Sequence, residues 1–385
     1  MSYLMSNYAP LAVTFVKGDG CNLIDDKGDI YLDALSGVAV TGLGHAHPKI
    51  SKVIQSQSQK LLHTSNWYQI QHQETLAETL CKLANMDGAF FCNSGAEANE
   101  AAIKITRLHA HANQIDNPII LTAKQGFHGR TMATLSATGN SKVQAGFSPL
   151  VSEFIHINFN DIEAIQAYEN NPQISAVMLE PIQGESGVIV PDDNYLNQVQ
   201  DICHKNNWLL ILDEVQTGIA RTGKMFAHQY NQITPDVLTL AKGLGNGVPI
   251  GACLAKGKAA KLLTPGTHGS TFGGNPLVCR VALEVLDIII QDNILHNVNL
   301  MSDYITARFT DQLKNVDSVL QIRSKGLMIG IELNKDCSQL LQQALDKKIL
   351  INITGRTIRL LPPLIINKEQ ANKIVDTICQ LVKEL

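Results

Sequence analysis

The chain has 385 residues, of which 45% are hydrophobic and 17% are charged, and its formal net charge is −4. No run of Lys and Arg exceeds two residues, which argues against nucleic acid or an anionic membrane as the main partner. The longest apolar stretches are far shorter than the ~18 residues of a membrane span, and the first residues show no export signal. The eight cysteines form no Cys-x-x-Cys pair, which indicates reduced thiols. These features predict a soluble globular protein of the cytoplasm.

In chain order, the first 50 residues alternate short extended runs with glycine-rich turns. From about residue 75, short apolar runs alternate with segments of helical periodicity. The predicted strands of this part are 89–92, 118–121, 175–179, 208–212, 236–240 and 250–254. The predicted helices among them are 97–108 and 193–205. Apolar strands separated by helices are typical of a mostly parallel sheet that is covered on both faces.

The last third of the chain has a different pattern. A long helix is predicted at 277–290, directly after Pro276, whose missing N–H costs nothing at a helix start. Further strands are predicted at 326–333 and 357–361, and further helices at 338–347 and 368–385. This mixture predicts a smaller α+β domain.

Two carboxylates follow one of the predicted strands. Asp213 and Glu214 come directly after the run 208–212, and ligands gather at the carboxyl ends of strands in an open α/β sheet. One interpretation is the magnesium site of a nucleotide hydrolase, because 218–224 matches a phosphate-binding loop up to its last position. That position is Met225, where Ser or Thr would bind magnesium, and the loop follows the acidic strand instead of preceding it. We therefore reject this interpretation in favour of a surface turn.

A lone lysine, Lys242, follows the apolar run 237–240 and precedes glycines at positions 243, 245 and 247. A desolvated lysine is the residue type that forms a Schiff base with an aldehyde cofactor, and glycines let a bulky group approach the backbone. A lysine that only bends out to solvent would give the same pattern, so this run alone leaves both interpretations open.

Three further segments carry groups that bind anions or flat rings. The segment 93–97 joins an apolar strand to a helix, and its small residues would let backbone N–H groups face a phosphate, although ordinary helices also begin this way. Phe127 and Arg130 share a glycine-flanked loop with His128, where a ring can stack and an arginine can bind a carboxylate. Arg359 lies alone in an apolar strand and should be paired or ligand-bound. Together with Lys242, these groups suit pyridoxal phosphate, and no metal site is predicted.

These segments stand in the order and spacing of a known family. The sequence resembles the class III (omega) aminotransferases of fold type I, and most closely the branch that acts on N2-acetylornithine. The most specific segments are 93–104, 127–131, 180–185, 212–218, 241–245 and 270–276. The resemblance implies an α/β fold with a mostly parallel seven-stranded sheet in a large domain, residues 51–280. It also implies a smaller α+β domain, residues 281–385, which the N-terminal segment 1–50 joins.

The resemblance also implies the roles of the cofactor residues. Lys242 is expected to carry pyridoxal 5'-phosphate and to move the proton, and Asp213 is expected to pair with the pyridine nitrogen; these are the expected catalytic residues. Phe127 and Val215 are expected on the two faces of the ring. The remaining expected cofactor contacts are Gly95 and Ala96 at the phosphate, Gln216 at the ring hydroxyl, and Thr271, which reaches the phosphate from the partner subunit of a homodimer.

For the substrates, the resemblance implies that Arg130 and Ser270 bind the α-carboxylate of acetylornithine, whereas Arg359 binds that of glutamate and 2-oxoglutarate. Glu185 is expected to pair with Arg359 when a δ-amine is presented. The implied reaction moves the δ-amino group of N2-acetylornithine to 2-oxoglutarate. It gives N-acetyl-L-glutamate 5-semialdehyde and L-glutamate, a step of arginine biosynthesis.

Other donors stay open within the family. Succinylornithine, N-acetyl-lysine, ornithine and 4-aminobutyrate are the alternatives, and the pocket residues decide among them. Relatives usually carry Leu where this chain has Trp67, and Gly where it has Ser186 and Asn246. A protein that binds the cofactor without catalysis is a weaker alternative, since both Lys242 and Asp213 are retained.

Overall fold

A computed structural model describes residues 3–385, which form three sheets of seven, four and four strands. The strands are β1 (Phe15–Asp19), β2 (Asn22–Asp25), β3 (Ile30–Asp33), β4 (Gly88–Cys92), β5 (Ile119–Ala123), β6 (Phe154–Ile157), β7 (Ile174–Leu179), β8 (Leu209–Asp213), β9 (Val237–Leu240), β10 (Gly251–Ala255), β11 (Val319–Lys325), β12 (Met328–Leu333), β13 (Ile349–Leu350), β14 (Asn352–Thr354) and β15 (Thr357–Leu360). The helical segments are α1 (Ser36–Ala39), α2 (Pro48–Ser58), α3 (Gln71–Ala84), α4 (Gly95–Ala112), α5 (Met132–Ala137), α6 (Ser141–Gln144), α7 (Ile162–Gln166), α8 (Tyr195–Asn206), α9 (Pro276–Gln291), α10 (Ile294–Leu313), α11 (Leu340–Asp346) and α12 (Lys368–Glu384). Of these, α1 is a single turn with left-handed backbone angles. Within residues 3–385, no helix combines the length and the apolar character that a membrane crossing requires.

The central sheet has the strand order β4-β10-β9-β8-β7-β5-β6. The five strands from β9 to β6 pair in parallel, whereas β10 is antiparallel to both of its neighbours. The carboxyl ends of β4, β5, β7, β8 and β9 therefore meet at one edge of the sheet. The predicted seven-stranded, mostly parallel sheet is confirmed.

Both faces of this sheet are buried. Leu210 and Leu212 of β8 lie in one hydrophobic cluster, together with buried residues of α8. Leu209 and Ile211 of the same strand lie in a second cluster, which includes the apolar side of α4. Because successive residues of a strand point to opposite faces, burial of both faces explains why the inner strands are continuous apolar runs.

The two ends of the chain meet outside the central sheet. Strand β3 near the N-terminus pairs in parallel with β13, with Leu32 opposite Ile349. Near the C-terminus, β11, β12, β15 and β14 form an antiparallel sheet, and β15 contains Arg359. The domain boundaries at residues 50 and 280 stay a prediction, and the second of them falls inside α9.

Two differences from the predicted elements have local causes. The strand predicted from residue 326 begins at Met328, because Gly326 lies in the preceding turn with a φ of +55°. Its partner β11 was not predicted, since its sequence VLQIRSK is partly exposed and lacks a continuous apolar run. A strand of this kind is specified by its pairing with β12 more than by its own composition.

Candidate active site

Lys242 lies at the carboxyl edge of the central sheet, directly after β9, where it starts a short 3-10 turn. Its φ is +43°, a rare backbone conformation for a residue with a side chain, and it lines a cavity of about 420 Å³. Burial lowers the pKa of the Lys242 amine, and the carboxylates of Glu185 and Asp213 counteract this shift without reversing it. Lys242 is therefore a cavity lysine and not a surface lysine.

Most of the residues predicted for the site line the same cavity. Besides Lys242 they are Gly95, Ala96, Phe127, Arg130, Glu185, Asp213, Val215 and Gln216. Arg359 reaches this group through its contact with Glu185. Ser270 and Thr271 line a different cavity of the same chain. One chain thus assembles the expected ring-binding groups and the carboxylate-binding Arg130 and Arg359, but it does not bring Ser270 and Thr271 to them.

The carboxylate of Asp213 ends β8 and is held by three hydrogen bonds. Asn99 Nδ2 donates to Asp213 Oδ2 over 2.7 Å, and His128 Nδ1 lies 2.8 Å from the same oxygen. The backbone N–H of Val215 donates to Oδ1 over 3.1 Å. Burial would lower the pKa of His128, but the hydrogen bond and the charge of Asp213 raise it instead, so the two side chains favour the ion-paired state. The carboxylate of Asp213 is therefore held in a fixed position on the cavity wall.

The N-terminus of α4 borders the cavity beside β8. Ser94 caps the helix, and its hydroxyl accepts the backbone N–H of Glu97 over 3.2 Å. A Cβ on Gly95 would lie 2.7 Å from Val215 Cγ1, so only glycine allows this close packing. The first turn of a helix carries unpaired N–H groups and a partial positive charge, which suit a phosphate at this place.

A second wall of the cavity is formed by the loop after β5. Phe127 is half-buried there, and the guanidinium carbon of Arg130 lies 5.6 Å from the centre of its ring. The arginine itself is exposed at the mouth of the cavity. A cation on the face of an aromatic ring is held in position without losing its capacity to bind a carboxylate.

Glu185 lines the cavity and pairs with Arg359 behind it. The guanidinium of Arg359 is buried and lies 3.0 Å from Glu185 Oε1, and it donates to the carbonyl oxygen of Gly184 over 2.8 Å. Burial would raise the pKa of Glu185, but Arg359 holds it below its usual range. Gln216 Nε2 also donates to Glu185, over 3.2 Å. The positive charge of Arg359 is thus neutralised by an ion pair with Glu185 of the same chain.

Ser270 and Thr271 line a cavity of about 800 Å³ next to strongly exposed aromatic side chains. Trp67 is 92% exposed and Phe272 is 61% exposed. Asn93 lines the cavity of Lys242, and its side chain donates a hydrogen bond to Ser270 Oγ over 3.2 Å. This bond connects the two cavities. Large aromatic side chains are thus exposed to solvent on this side of the described chain.

Several residues that support the site were not expected from the sequence. Asn99 and Thr239 were not singled out, although Thr239 donates to Asn99 over 2.7 Å and Asn99 holds Asp213. The signal for Asn99 was its position one helical turn after Gly95, on the same face of α4. His128 and Glu180 stood in recognised segments without an assigned role.

The segment that resembled a phosphate-binding loop does not begin an α-helix. Residues 218–224 form turns that lead into the short 3-10 helix Ala227–Tyr230. The expectation of a surface turn is wrong, because residues 218–223 are buried beneath neighbouring segments and only Lys224 is exposed. Met225 is buried, and Lys224 lies over the ring of Tyr230 instead of facing a phosphate site. This agrees with the rejection of a nucleotide hydrolase.

The family model "Aminotransferase class-III" matches residues 3–382. The chain belongs to the class III aminotransferases. Acetylornithine aminotransferase from Nitrosomonas europaea is 52% identical over 384 residues, which is 99% of this chain and 98% of that relative. The family that the sequence resembled is thereby confirmed.

Solved aminotransferase structures have the same fold. An ornithine aminotransferase from Toxoplasma gondii, whose structure shows partial occupancy of PLP at the active site, superposes with a TM-score of 0.95 at 32% identity. This match covers 99% of this chain and 92% of that one. Acetylornithine aminotransferase from Elizabethkingia anophelis gives a TM-score of 0.88 at 33% identity and covers 100% and 97% of the two chains.

Proposed function

We propose that this class III aminotransferase moves the δ-amino group of N2-acetylornithine to 2-oxoglutarate, giving N-acetyl-L-glutamate 5-semialdehyde and L-glutamate. The observation that carries the proposal is the pairing of the buried Arg359 with Glu185, which lines the same cavity as Arg130. A covered Arg359 does not attract the donor's carboxylate, so the donor binds by Arg130 and presents its distant amine. The full-length similarity to the Nitrosomonas europaea acetylornithine aminotransferase supports this donor.

The cavity fits pyridoxal phosphate, the cofactor of this family. When bound, this cofactor supplies an aldehyde that exchanges amino groups and a ring that takes up electrons while a proton leaves the substrate carbon. The buried carboxylate of Asp213 suits a protonated ring nitrogen, and the first turn of α4 suits the phosphate. Gln216 Oε1 is buried and has no hydrogen-bond partner among the described residues, so it is available to a ring hydroxyl. Phe127 and Val215 offer apolar contacts to the ring.

Lys242 then acts as the amine that holds the cofactor and as the base of the proton transfer. Its lowered pKa favours the neutral amine, which is the form that accepts a proton from the substrate carbon. Arg130 holds the α-carboxylate of acetylornithine, and Ser270, which lines the neighbouring cavity and accepts a hydrogen bond from Asn93, is the proposed second contact. In the second half of the reaction Glu185 leaves Arg359, which then binds the α-carboxylate of 2-oxoglutarate. The same cavity thus accepts two substrates of different length, one at a time.

A homodimer with its sites at the subunit interface is part of the proposal. The exposed aromatic surface beside Thr271 supports it, as does the placement of Thr271 away from the cavity of its own chain. If Thr271 serves the partner, mixing the Lys242→Ala and Thr271→Ala variants should restore activity, because mixed dimers contain one intact site. About a quarter of all sites should then be intact after random exchange. No restoration would mean that Thr271 acts within its own chain.

The proposed donor is tested by comparing donors on the holoenzyme. We expect kcat/KM with 2-oxoglutarate to be highest for acetylornithine, and about tenfold or more above ornithine, which carries a charged α-amine where acetylornithine carries a neutral amide. Succinylornithine, N-acetyl-lysine and 4-aminobutyrate complete the series. A preference for ornithine would agree with the Toxoplasma gondii structure and would keep the chemistry while changing the substrate. Absence of transfer from every donor would refute the proposal.

We also propose that the enzyme works in the reducing environment of the cytoplasm. All eight cysteines are free thiols, and seven of them are buried. Burial raises the pKa of Cys21 and Cys92 to about 12, so these thiols are unreactive at neutral pH.

A further inference from the structure

Glu180 is a buried glutamate between two loops of the cavity. It follows β7 directly, at the same edge of the sheet as Asp213 and Lys242, and it lines the cavity with 6% of its surface exposed. Its Oε2 accepts the backbone N–H of Phe127 over 2.9 Å, and its Oε1 accepts the backbone N–H of Gly184 over 3.2 Å. One carboxylate therefore binds the main chain of two loops that are far apart in sequence.

Each of these loops carries a different part of the site. The loop of Phe127 supplies the ring on the cavity wall and the neighbouring Arg130. The loop of Gly184 accepts a hydrogen bond from Arg359 over 2.8 Å. This loop is tightly packed, because a Cβ on Gly184 would lie 2.0 Å from Gln216 Oε1. Because Arg359 donates to the carbonyl oxygen of Gly184, a shift of Gly184 would also move the Arg359 guanidinium.

We propose that the carboxylate of Glu180 is a positioning group that holds the loops of Phe127 and Gly184, and with them the Arg359 guanidinium, in the arrangement needed for amino transfer. Through the roles of Phe127 and Arg359, this inference rests on the proposed function. Glu180 does not need to touch either substrate to act in this way.

The charges around Glu180 make its two hydrogen bonds to the loops sensitive to pH. Burial raises the pKa of Glu180 to about 7, with His128 lowering it and Asp213 raising it, and the charge of Lys242 also acts on this group. The ionised carboxylate has two acceptor oxygens for the two N–H groups. Protonation removes the negative charge and makes one of these oxygens a hydroxyl, which is a weaker acceptor, so the hydrogen bond to one of the two loops is weakened. Glutamine at this position resembles the protonated form in shape and in hydrogen bonding.

The test compares the wild-type holoenzyme with Glu180→Gln at pH 6 and pH 8. At pH 8 we expect kcat/KM for 2-oxoglutarate to be about tenfold lower in the variant, since a hydrogen bond to a charged group is lost. At pH 6 we expect a difference of no more than about twofold, because the wild type then also carries a protonated side chain. A role in folding alone would give a ratio that does not change with pH.

Asp236→Asn is the matched control. Asp236 also accepts a backbone N–H, that of Leu210 over 2.8 Å, and burial also raises its pKa, but it lies before β9 at the opposite edge of the sheet. Its ratio to wild type should be the same at both pH values. If the ratio of kcat/KM between Glu180→Gln and wild type is also the same at both pH values, the inference is overturned. If Glu180→Gln does not fold, Glu180→Asp replaces it; this shorter side chain cannot reach both N–H groups, so its kcat/KM relative to wild type should be lower at pH 8 than at pH 6. An equal ratio at both pH values would overturn the inference.

Melting of the apoprotein separates this inference from the proposed function. The pKa of Glu180 is higher in the folded chain than in the unfolded one, so its contribution to stability is present at low pH and is lost as the pH rises toward about 7. The melting temperature of the wild type relative to Glu180→Gln should therefore fall between pH 5 and pH 8, opposite to the trend in activity. If the difference in melting temperature between wild type and Glu180→Gln does not change with pH, Glu180 does not titrate as a buried carboxylate. This conclusion holds even if the enzyme proves to use another donor. If none of the donors gives activity but the melting temperatures follow the expected trend, only the proposed function is refuted.

Discussion

Replacing Glu185 with Gln should change which amine the enzyme prefers. In the folded chain Glu185 neutralises Arg359 through contacts of 3.0 and 3.3 Å. Glutamine keeps an acceptor for Arg359 but removes the negative charge. The buried guanidinium then keeps its bond to the Gly184 carbonyl and becomes more available to the α-carboxylate of an incoming amino acid.

The size of the effect follows from the exposure of the pair. A hydrogen bond between charged groups contributes about 1.5–3 kcal/mol, against about 0.5–1.5 kcal/mol for a neutral one. The side chain of Glu185 is 35% exposed, so solvent screening favours the lower end of this difference, about 1 kcal/mol. That corresponds to about a fivefold change in the competition for Arg359. We expect kcat/KM for glutamate as donor to rise about fivefold, and that for acetylornithine to fall.

Single-turnover reactions of the holoenzyme with each donor, followed by the visible absorption of the bound cofactor, measure these two constants separately. Glu284→Gln is a suitable control, because Glu284 pairs with Arg280 over 2.8 Å on α9, away from the cavity. Its ratio of the two constants should equal that of the wild type. An unchanged ratio in Glu185→Gln as well would refute the idea that Glu185 controls access to Arg359.

Three further substitutions test other parts of the site. Lys242→Ala should abolish both half-reactions while the apoprotein keeps its circular dichroism spectrum. Amino transfer at the wild-type rate would exclude Lys242 as the base. Asn99→Ala removes a buried amide that holds Asp213, and urea denaturation should show a loss of about 2 kcal/mol in the free energy of unfolding; a loss below about 0.5 kcal/mol would contradict this. Asn246 has a φ of +45° and binds the backbone of Leu43 over 2.7 Å, so Asn246→Ala should be less stable than Asn246→Gly, which tolerates that angle; equal melting temperatures would refute strain at this position.

The centre of the site could be predicted because its residues stand next to strong local patterns. Lys242 and Asp213 each follow an apolar strand, and parallel strands bring their carboxyl ends to one edge. Gly95 begins the helix that follows β4 at that same edge. For such residues, recognising the strands is enough to bring them together in space. The polar strand β11 lacked a pattern of this kind, and only its pairing with β12 defines it.

The supporting residues could not be found in this way, because their partners are backbone groups or side chains from distant segments. Glu180 binds the N–H groups of Phe127 and Gly184, and every non-proline residue offers the same N–H, so the sequence does not mark these two. The pairing of Thr239 with Asn99 depends on how α4 crosses the sheet. These same residues hold the predicted ones in place, so substitutions at them should alter the geometry of catalysis while leaving the predicted catalytic and binding residues themselves unchanged.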